Sequence, residues 1–236
     1  LHLDDGTVVS GMEGGAMVMG LGDDYVHVGR AIVSVLGGGG DDTLIGGKGA
    51  DFLGGGAGND IVRGGQGVDT VIYADATSGV TVDLSDHGVQ NTHGAGKDQL
   101  GSIENVIGSA WDDTLTGTHG ANQFEGTFGA DTMTGNGGAD TFLFGAYIES
   151  GPDGADHITD LGDDDTIDLH LMDANINTAE DDAFTLVSKF THHAGEAVLV
   201  TSGGDTRLEL DVTGDGQADT VIVLEGDHQD FDHFVL

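Results

Sequence analysis

The 236-residue chain has no cysteine, so no disulfide braces it and no thiol can serve as a nucleophile. It has little positive charge: 6 Lys and Arg stand against 42 Asp and Glu, a formal net charge of −36. That balance argues against nucleic acid and anionic membrane surfaces as partners, since both are polyanions, and leaves cations or basic surfaces. No run of apolar residues reaches the ~18 that a membrane-spanning helix needs. None of the 11 histidines is followed by glutamate, so an HExxH zinc centre is absent, and so is a GxSxG nucleophile elbow. His192-His193 lacks the helical i,i+4 spacing of a metal pair and reads as a solvated loop pair. Carboxylates are numerous enough for a glycosidase pair, but an acid committed to a metal turn is a poor general acid. The chain is expected to be non-catalytic. It opens on Leu1 without a visible signal peptide. A trimmed N-terminus is expected from this, with any catalytic domain, such as a zinc metalloprotease, lying upstream.

What the chain does have is glycine and aspartate in phase. Residues 37–72 read GGGGDDTLI, GGKGADFLG, GGAGNDIVR, GGQGVDTVI, four nonapeptides without an insertion. Asp42, Asp51, Asp60 and Asp69 fall nine residues apart, and Leu44, Leu53, Val62 and Val71 follow each by two. This is the known pattern GGxGxDxUx of a calcium-binding parallel β-roll, with U a large aliphatic residue. The glycines permit tight turns with positive φ and leave backbone carbonyls uncovered. The sixth-position Asp sets a carboxylate beside them, and two facing turns can supply the 6–8 oxygens that a hard cation takes. Each nonapeptide makes half a coil, so Asp42 is expected above Asp60 and Asp51 above Asp69 at about 4.8 Å per strand. Carboxylates stacked that closely repel one another, and a cation between the turns is what would let the stack close. Strongly acidic chains are often disordered, but these acids keep a fixed spacing beside aliphatics.

Along the chain, residues 1–72 are expected to hold an N-terminal cap and the first array. Val8, Met17, Val26 and Val35 keep step with Leu44. Met19-Gly20-Leu21-Gly22-Asp23-Asp24 makes a competent turn, whereas the turn at 29–33 carries no acid and is expected to bind nothing. Residues 73–107 interrupt the period, with one alternating strand at 79–84. A second array, GSAWDDTLT, GTHGANQFE, GTFGADTMT, GNGGADTFL, spans 108–143, and its segment is taken as 108–144. Its sixth positions are Asp113, Asn122, Asp131 and Asp140, and Ser109, Thr118, Thr127 and Asn136 replace the second glycine, so weaker occupancy is expected there. Residues 145–236 alternate as ordinary strands and predict an antiparallel β cap over the open end of the roll, which would otherwise expose strand edges. Within it, Asp211, Asp215 and Asp219 share a loop with Gly216 at its sixth position, as in an EF-hand, but Ile222 stands where Glu would be. That loop fits either an acidic hairpin turn or a further calcium site. The expected fold class is thus all-β: a calcium-stacked parallel β-roll of two arrays with a C-terminal β cap.

These motifs resemble the RTX family exported by bacterial type I secretion systems. The phrase from Ile103 to Leu115, IENVIGSAWDDTL, looks like the join between two RTX blocks. The C-terminal third is similar to the C-terminal domain of serralysin-type metalloproteases, through 140–144, 173–175, 194–196, 211–219 and 232–236. The resemblance implies an uncleaved export signal at the C-terminus, which Asp232 and Phe234-Val235-Leu236 fit although His233 intrudes. It also implies metal ligands: the sixth-position acid with carbonyls of the first, second and fourth turn residues. In the first array these are Gly37, Gly38, Gly40, Asp42; Gly46, Gly47, Gly49, Asp51; Gly55, Gly56, Gly58, Asp60; and Gly64, Gly65, Gly67, Asp69. The turn ending at Asp24 adds Gly20 and Gly22. In the second array they are Gly108, Asp113; Gly117, Gly120, Asn122; Gly126, Gly129, Asp131; and Gly135, Gly138, Asp140.

The function expected from this is a secreted or cell-surface bacterial module, unfolded at cytosolic calcium, that folds as it binds calcium outside the cell. Its partners would be calcium ions and, through its C-terminus, the type I secretion machinery. Two other readings stay open: a stand-alone structural protein that self-assembles into a layer, filament or matrix, and a carbohydrate-binding accessory module.

Overall fold

The computed structural model describes residues 6–12, 14–152, 154–178 and 182–236, and every regular element among them is a strand. The first five residues of the expected N-terminal cap lie outside the described residues. Alternate strands go to opposite walls of a flattened coil, as half a coil per nonapeptide requires. One wall is a nine-stranded, wholly parallel sheet running from Gly15–Val18 to Phe234–Val235. Its middle follows the repeats: Val33–Leu36, Phe52–Gly54, Thr70–Ile72, Asn105–Ile107, Gln123–Glu125, Thr141–Leu143 and Thr166–Asp168.

The facing wall is in two sections. A six-stranded sheet runs from Val8–Met12 through Tyr25–Val28, Thr43–Gly47 and Ile61–Gly65 to Lys97–Gly101, with Val89–Asn91 added antiparallel at its edge. An eight-stranded sheet starts at Thr81–Asp83 and continues through Thr114–Thr116, Thr132–Thr134 and Asp156–Ile158. Pairing is one coil apart, so Val26 faces Leu44, Leu44 faces Val62, and Leu53 faces Val71. The U residues form two files that meet between the walls, and Leu44, Leu53, Val71, Leu115, Phe124, Met133 and Phe142 are fully buried. Phe124 and Phe142, one coil apart, stack with ring centroids 5.3 Å apart.

Three features differ from the sequence-based expectation. Val8 is out of step: it pairs with Tyr25 and is exposed, while Val9 pairs with Val26 and packs on the core. Here the pairing is irregular between Ser10 and Met12, and strand register rather than a nine-residue count decides which side chain points inward. The interruption expected at 73–107 does not break the nine-stranded wall, since Asn105–Ile107 pairs with Thr70–Ile72 on one side and Gln123–Glu125 on the other. Finally, the cap is only partly antiparallel. Asp156–Ile158 and Thr166–Asp168 pair in parallel with the strands of the second array and add another coil to the roll. The antiparallel part is Glu196–Ser202, Asp205–Asp211 and Thr220–Leu224, and Thr220–Leu224 in turn pairs in parallel with Asp156–Ile158.

Candidate metal centre

The turns between strands stack into two corners of the coil, and in each a ladder of carboxylates runs along the axis. In the first corner Asp24 N donates to Asp42 Oδ1 (2.7 Å), Asp42 N to Asp60 Oδ1 (2.8 Å), and Asp60 N to Asp98 Oδ1 (3.0 Å). In the other, Val33 N donates to Asp51 Oδ1, Asp51 N to Asp69 Oδ1, and Asp69 N to Glu104 Oε2. The second block repeats the scheme from Val80 to Asp113, Asp131 and Asp156, and from Asn122 to Asp140 and Asp165. Thus one oxygen of each acid is held by the backbone of the neighbouring coil.

The other oxygen is not. Among the described residues Asp24, Asp42, Asp51, Asp60, Asp69, Asp131 and Asp140 each keep a buried Oδ2 with no hydrogen-bond partner. A buried polar atom left so is costly, and seven of one kind call for a common partner. The glycines show where that partner belongs. A Cβ on Gly37 would overlap both Asp42 Oδ2 and the carbonyl oxygen of Gly55 one coil on. Gly46 would meet Asp51 Oδ2 and Gly64 O, and Gly64 would meet Asp69 Oδ2 and Ser102 O. Each first-position glycine therefore faces a small, oxygen-lined cradle that any side chain would fill. The second-position residues Gly38, Gly47, Gly56 and Gly65 take φ between +93° and +131°, a conformation that L side chains rarely adopt.

Burial raises the carboxyl pKa values. Asp42 and Asp140 are pushed up to about 6, Asp60 and Asp156 to about 7 and Asp131 to about 8, by burial first and by neighbouring acids as well. Burial also raises Asp51 and Asp69. Lys and Arg form no ion pair with these acids among the described residues. No group of three or more His, Cys, Asp or Glu side chains converges on one point there either. Any cation in a corner would be held by one or two carboxylates and several carbonyls, the donor set of calcium rather than of zinc.

The second array is less uniform. Asp131 and Asp140 behave as in the first array, but Asp113 and Asn122 have their oxygens engaged within their own turns. Sequence reasoning missed Asp98, Glu104, Asp156 and Asp165, which extend the ladders. The latter two carried a signal: they are nine residues apart, and each precedes an isoleucine by two, as Asp precedes U in the repeats. The turn before Asp156 keeps the first- and fourth-position glycines of the repeat, Gly151 and Gly154, whereas the turn before Asp165 does not; both acids fall out of phase with the nine-residue count from Asp140, and that hid them. The Asp211–Asp219 loop forms a hydrogen-bonded hairpin turn. Asp211 accepts from Gly214 N and Gly216 N, Asp219 Oδ2 from Val212 N and Thr213 N, and Asp215 Oδ1 from Gln217 N. No buried oxygen in that loop lacks a partner among the described residues.

Comparison with known families agrees with this geometry. The family described as Peptidase M10 serralysin C terminal matches residues 83–236, well over half of the chain. The chain belongs to this serralysin C-terminal family. Residues 36–71 of this serralysin C-terminal chain also match the RTX calcium-binding nonapeptide repeat, in four copies. RTX repeats bind calcium, and RTX and serralysin-like proteins are secreted by bacteria. The chain is 42% identical over 137 residues to Metallopeptidase AprA of Pseudomonas marginalis, an alignment covering 53% of this chain and 28% of that protein. It thus spans less than a third of the length of that relative. A solved structure, the extracellular lipase LipA of Serratia marcescens, aligns over 94% of this chain and 40% of its own with 14% identity and a TM-score of 0.36.

Proposed function

We propose that this chain is a non-catalytic, calcium-binding RTX β-roll that serves the secretion and folding of a bacterial protein exported by a type I system. The seven buried, partnerless carboxylate oxygens carry this reading. They make the folded coil unfavourable at neutral pH without cations, because folding must either bury carboxylate charges beside others of the same sign or draw protons onto them. In the first array, the sixth-position acids with carbonyls of Gly37, Gly38, Gly40 and their counterparts would hold the ions. Calcium supplies positive charge where the ladder is most negative, and its flexible coordination suits turns built largely of carbonyls.

Binding and folding are then one event, since no site exists until two coils are stacked. At submicromolar cytosolic calcium the chain stays open and can thread through an export channel. At the roughly millimolar calcium outside, matched to extracellular-module affinities of about 10⁻⁴–10⁻³ M, it closes. The C-terminus fits this order of events. Phe234–Val235 forms the last strand of the nine-stranded wall, and Phe234 and Leu236 pack on the core. An export signal there would be an unpaired segment before folding and part of a paired strand after it, with Phe234 and Leu236 packed on the core and Asp232 and Val235 left exposed. Far-UV circular dichroism in calcium and in EGTA tests the proposal: a native β spectrum that survives chelation at neutral pH would sink it.

A further inference from the structure

The first two turns of the second array, Gly108–Asp113 and Gly117–Asn122, satisfy their own polar atoms. Asp113 Oδ2 accepts from Ser109 N (2.6 Å), and its Oδ1 accepts from Ser109 Oγ (2.7 Å) and Val80 N (2.7 Å). Asn122 Oδ1 accepts from Thr118 N (2.7 Å) and Thr118 Oγ1 (3.1 Å), and its Nδ2 donates to Glu104 O. Neither residue leaves a buried oxygen without a partner, unlike Asp131 and Asp140 one coil on.

The backbone differs too. Thr127 and Asn136, at the second position of the next two turns, adopt φ of +73° and +71°, while Ser109 and Thr118 do not have positive φ. Asn136 Nδ2 also donates to Gly117 O (2.8 Å), taking a first-position carbonyl that would otherwise face the cradle. At the Gly117 cradle the wall is the neutral Asn122 Oδ1, the Gly135 carbonyl oxygen and the Phe124 ring edge, and at the Gly108 cradle it is Asp113 Oδ2, which Ser109 N already engages, with the Gly126 carbonyl oxygen. On the neighbouring coil the same chemistry recurs. Asp98 closes the first ladder with its Oδ2 accepting from Thr92 Oγ1 (2.9 Å) and Tyr73 OH (3.2 Å).

We propose that the turns Gly108–Asp113 and Gly117–Asn122 form a cation-free belt between two columns of calcium sites, with the Ser109 and Thr118 side chains and amides taking the place of the ion. The belt rests on the calcium reading above, and it revises the expectation of weak occupancy at these two turns to none. Hydrogen bonds from Ser109 and Thr118 neutralise the need for a cation there, because each acceptor already has donors within 3.1 Å. The belt also lies where only the nine-stranded wall is continuous, so the two columns are joined through hydrogen bonds and packing rather than through a shared file of ions.

The test is an anomalous difference map from crystals of the chain grown in calcium and soaked in terbium. Peaks are expected beside Asp131, Asp140 and the first-array acids, with none beside Asp113 or Asn122. Peaks beside Asp113 or Asn122 would overturn the belt and leave the calcium reading standing, whereas a map with no peak at any turn would overturn both. A Thr118→Gly/Asn122→Asp double variant gives a gain-of-site measurement. Its calcium content after gel filtration, by plasma emission, should exceed wild type by one ion per chain. An unchanged content with a native dichroism spectrum would count against the belt, and the map decides whether or not the variant folds.

Discussion

Residue by residue, the corners place charge against solvation. Asp60 and Asp131 sit where water is excluded and like charges are near, and their pKa values rise to about 7 and about 8. An unfolded Asp titrates near 3.9, so the metal-free folded state binds more protons than the unfolded one. Its stability therefore falls as pH rises from about 4 to 8 and is recovered on acidification. In EGTA, the β signal should be stronger at pH 5 than at pH 8. In calcium the dependence should reverse, because protons compete with the ion for the same oxygens. Asp60→Asn keeps shape but removes charge from a cradle. It should raise the calcium midpoint of folding about tenfold or more, read by dichroism-monitored titration. Gly37→Ala places a methyl group over Asp42 Oδ2 and Gly55 O, and should lower both the calcium content and the melting temperature. Gly151→Ala, which meets nothing within 4 Å and lacks a positive φ, should leave both unchanged.

At the level of the strands, each rung is only three to five residues long in the repeats and buries one U side chain. So short a strand is stable only when stacked, and the file of U residues has to be filled evenly. Phe124 is fully buried and stacked on Phe142. Phe124→Ala should cost about 3–5 kcal/mol in calcium-saturated chemical denaturation, since the coils on either side are tied by backbone pairing and can collapse little into the space. The last strand has a different task. Phe234–Val235 covers the edge of Thr166–Asp168, and open parallel edges template aggregation. Truncation after Asp232 should lower the melting temperature and raise light scattering, while the calcium midpoint of the first array should move little.

Across the whole molecule, a polyanion of net charge −36 becomes a rod by alternating acids with carbonyl-rich turns on its two corners and aliphatics between its walls. The parallel coil continues past the second array through Asp156–Ile158 and Thr166–Asp168. The eight-stranded wall then passes into an antiparallel meander at Glu196–Leu224 and ends on the short strand Thr185–Leu186, which pairs in parallel with Glu196–Ser202. Removing calcium should therefore act on the roll first. Val221, Ile222 and Leu224 are fully buried in a meander that has no partnerless carboxylate among the described residues.

The nonapeptide spacing by itself determined the coil, the burial of Leu44, Leu53, Val62 and Val71, and the stacking of Asp42 on Asp60 and Asp51 on Asp69, because a strict nine-residue period admits only one register. Only the tertiary structure decided that Val9 rather than Val8 points inward, that Asp98, Glu104, Asp156 and Asp165 continue the ladders, and that the side-chain oxygens of Asp113, Asn122 and Asp211 accept hydrogen bonds within their own turns. Those outcomes depend on which N–H groups arrive from distant coils or from the residue's own turn. Hydrogen-bond partners of that kind are chosen by packing, and a repeat pattern does not encode them.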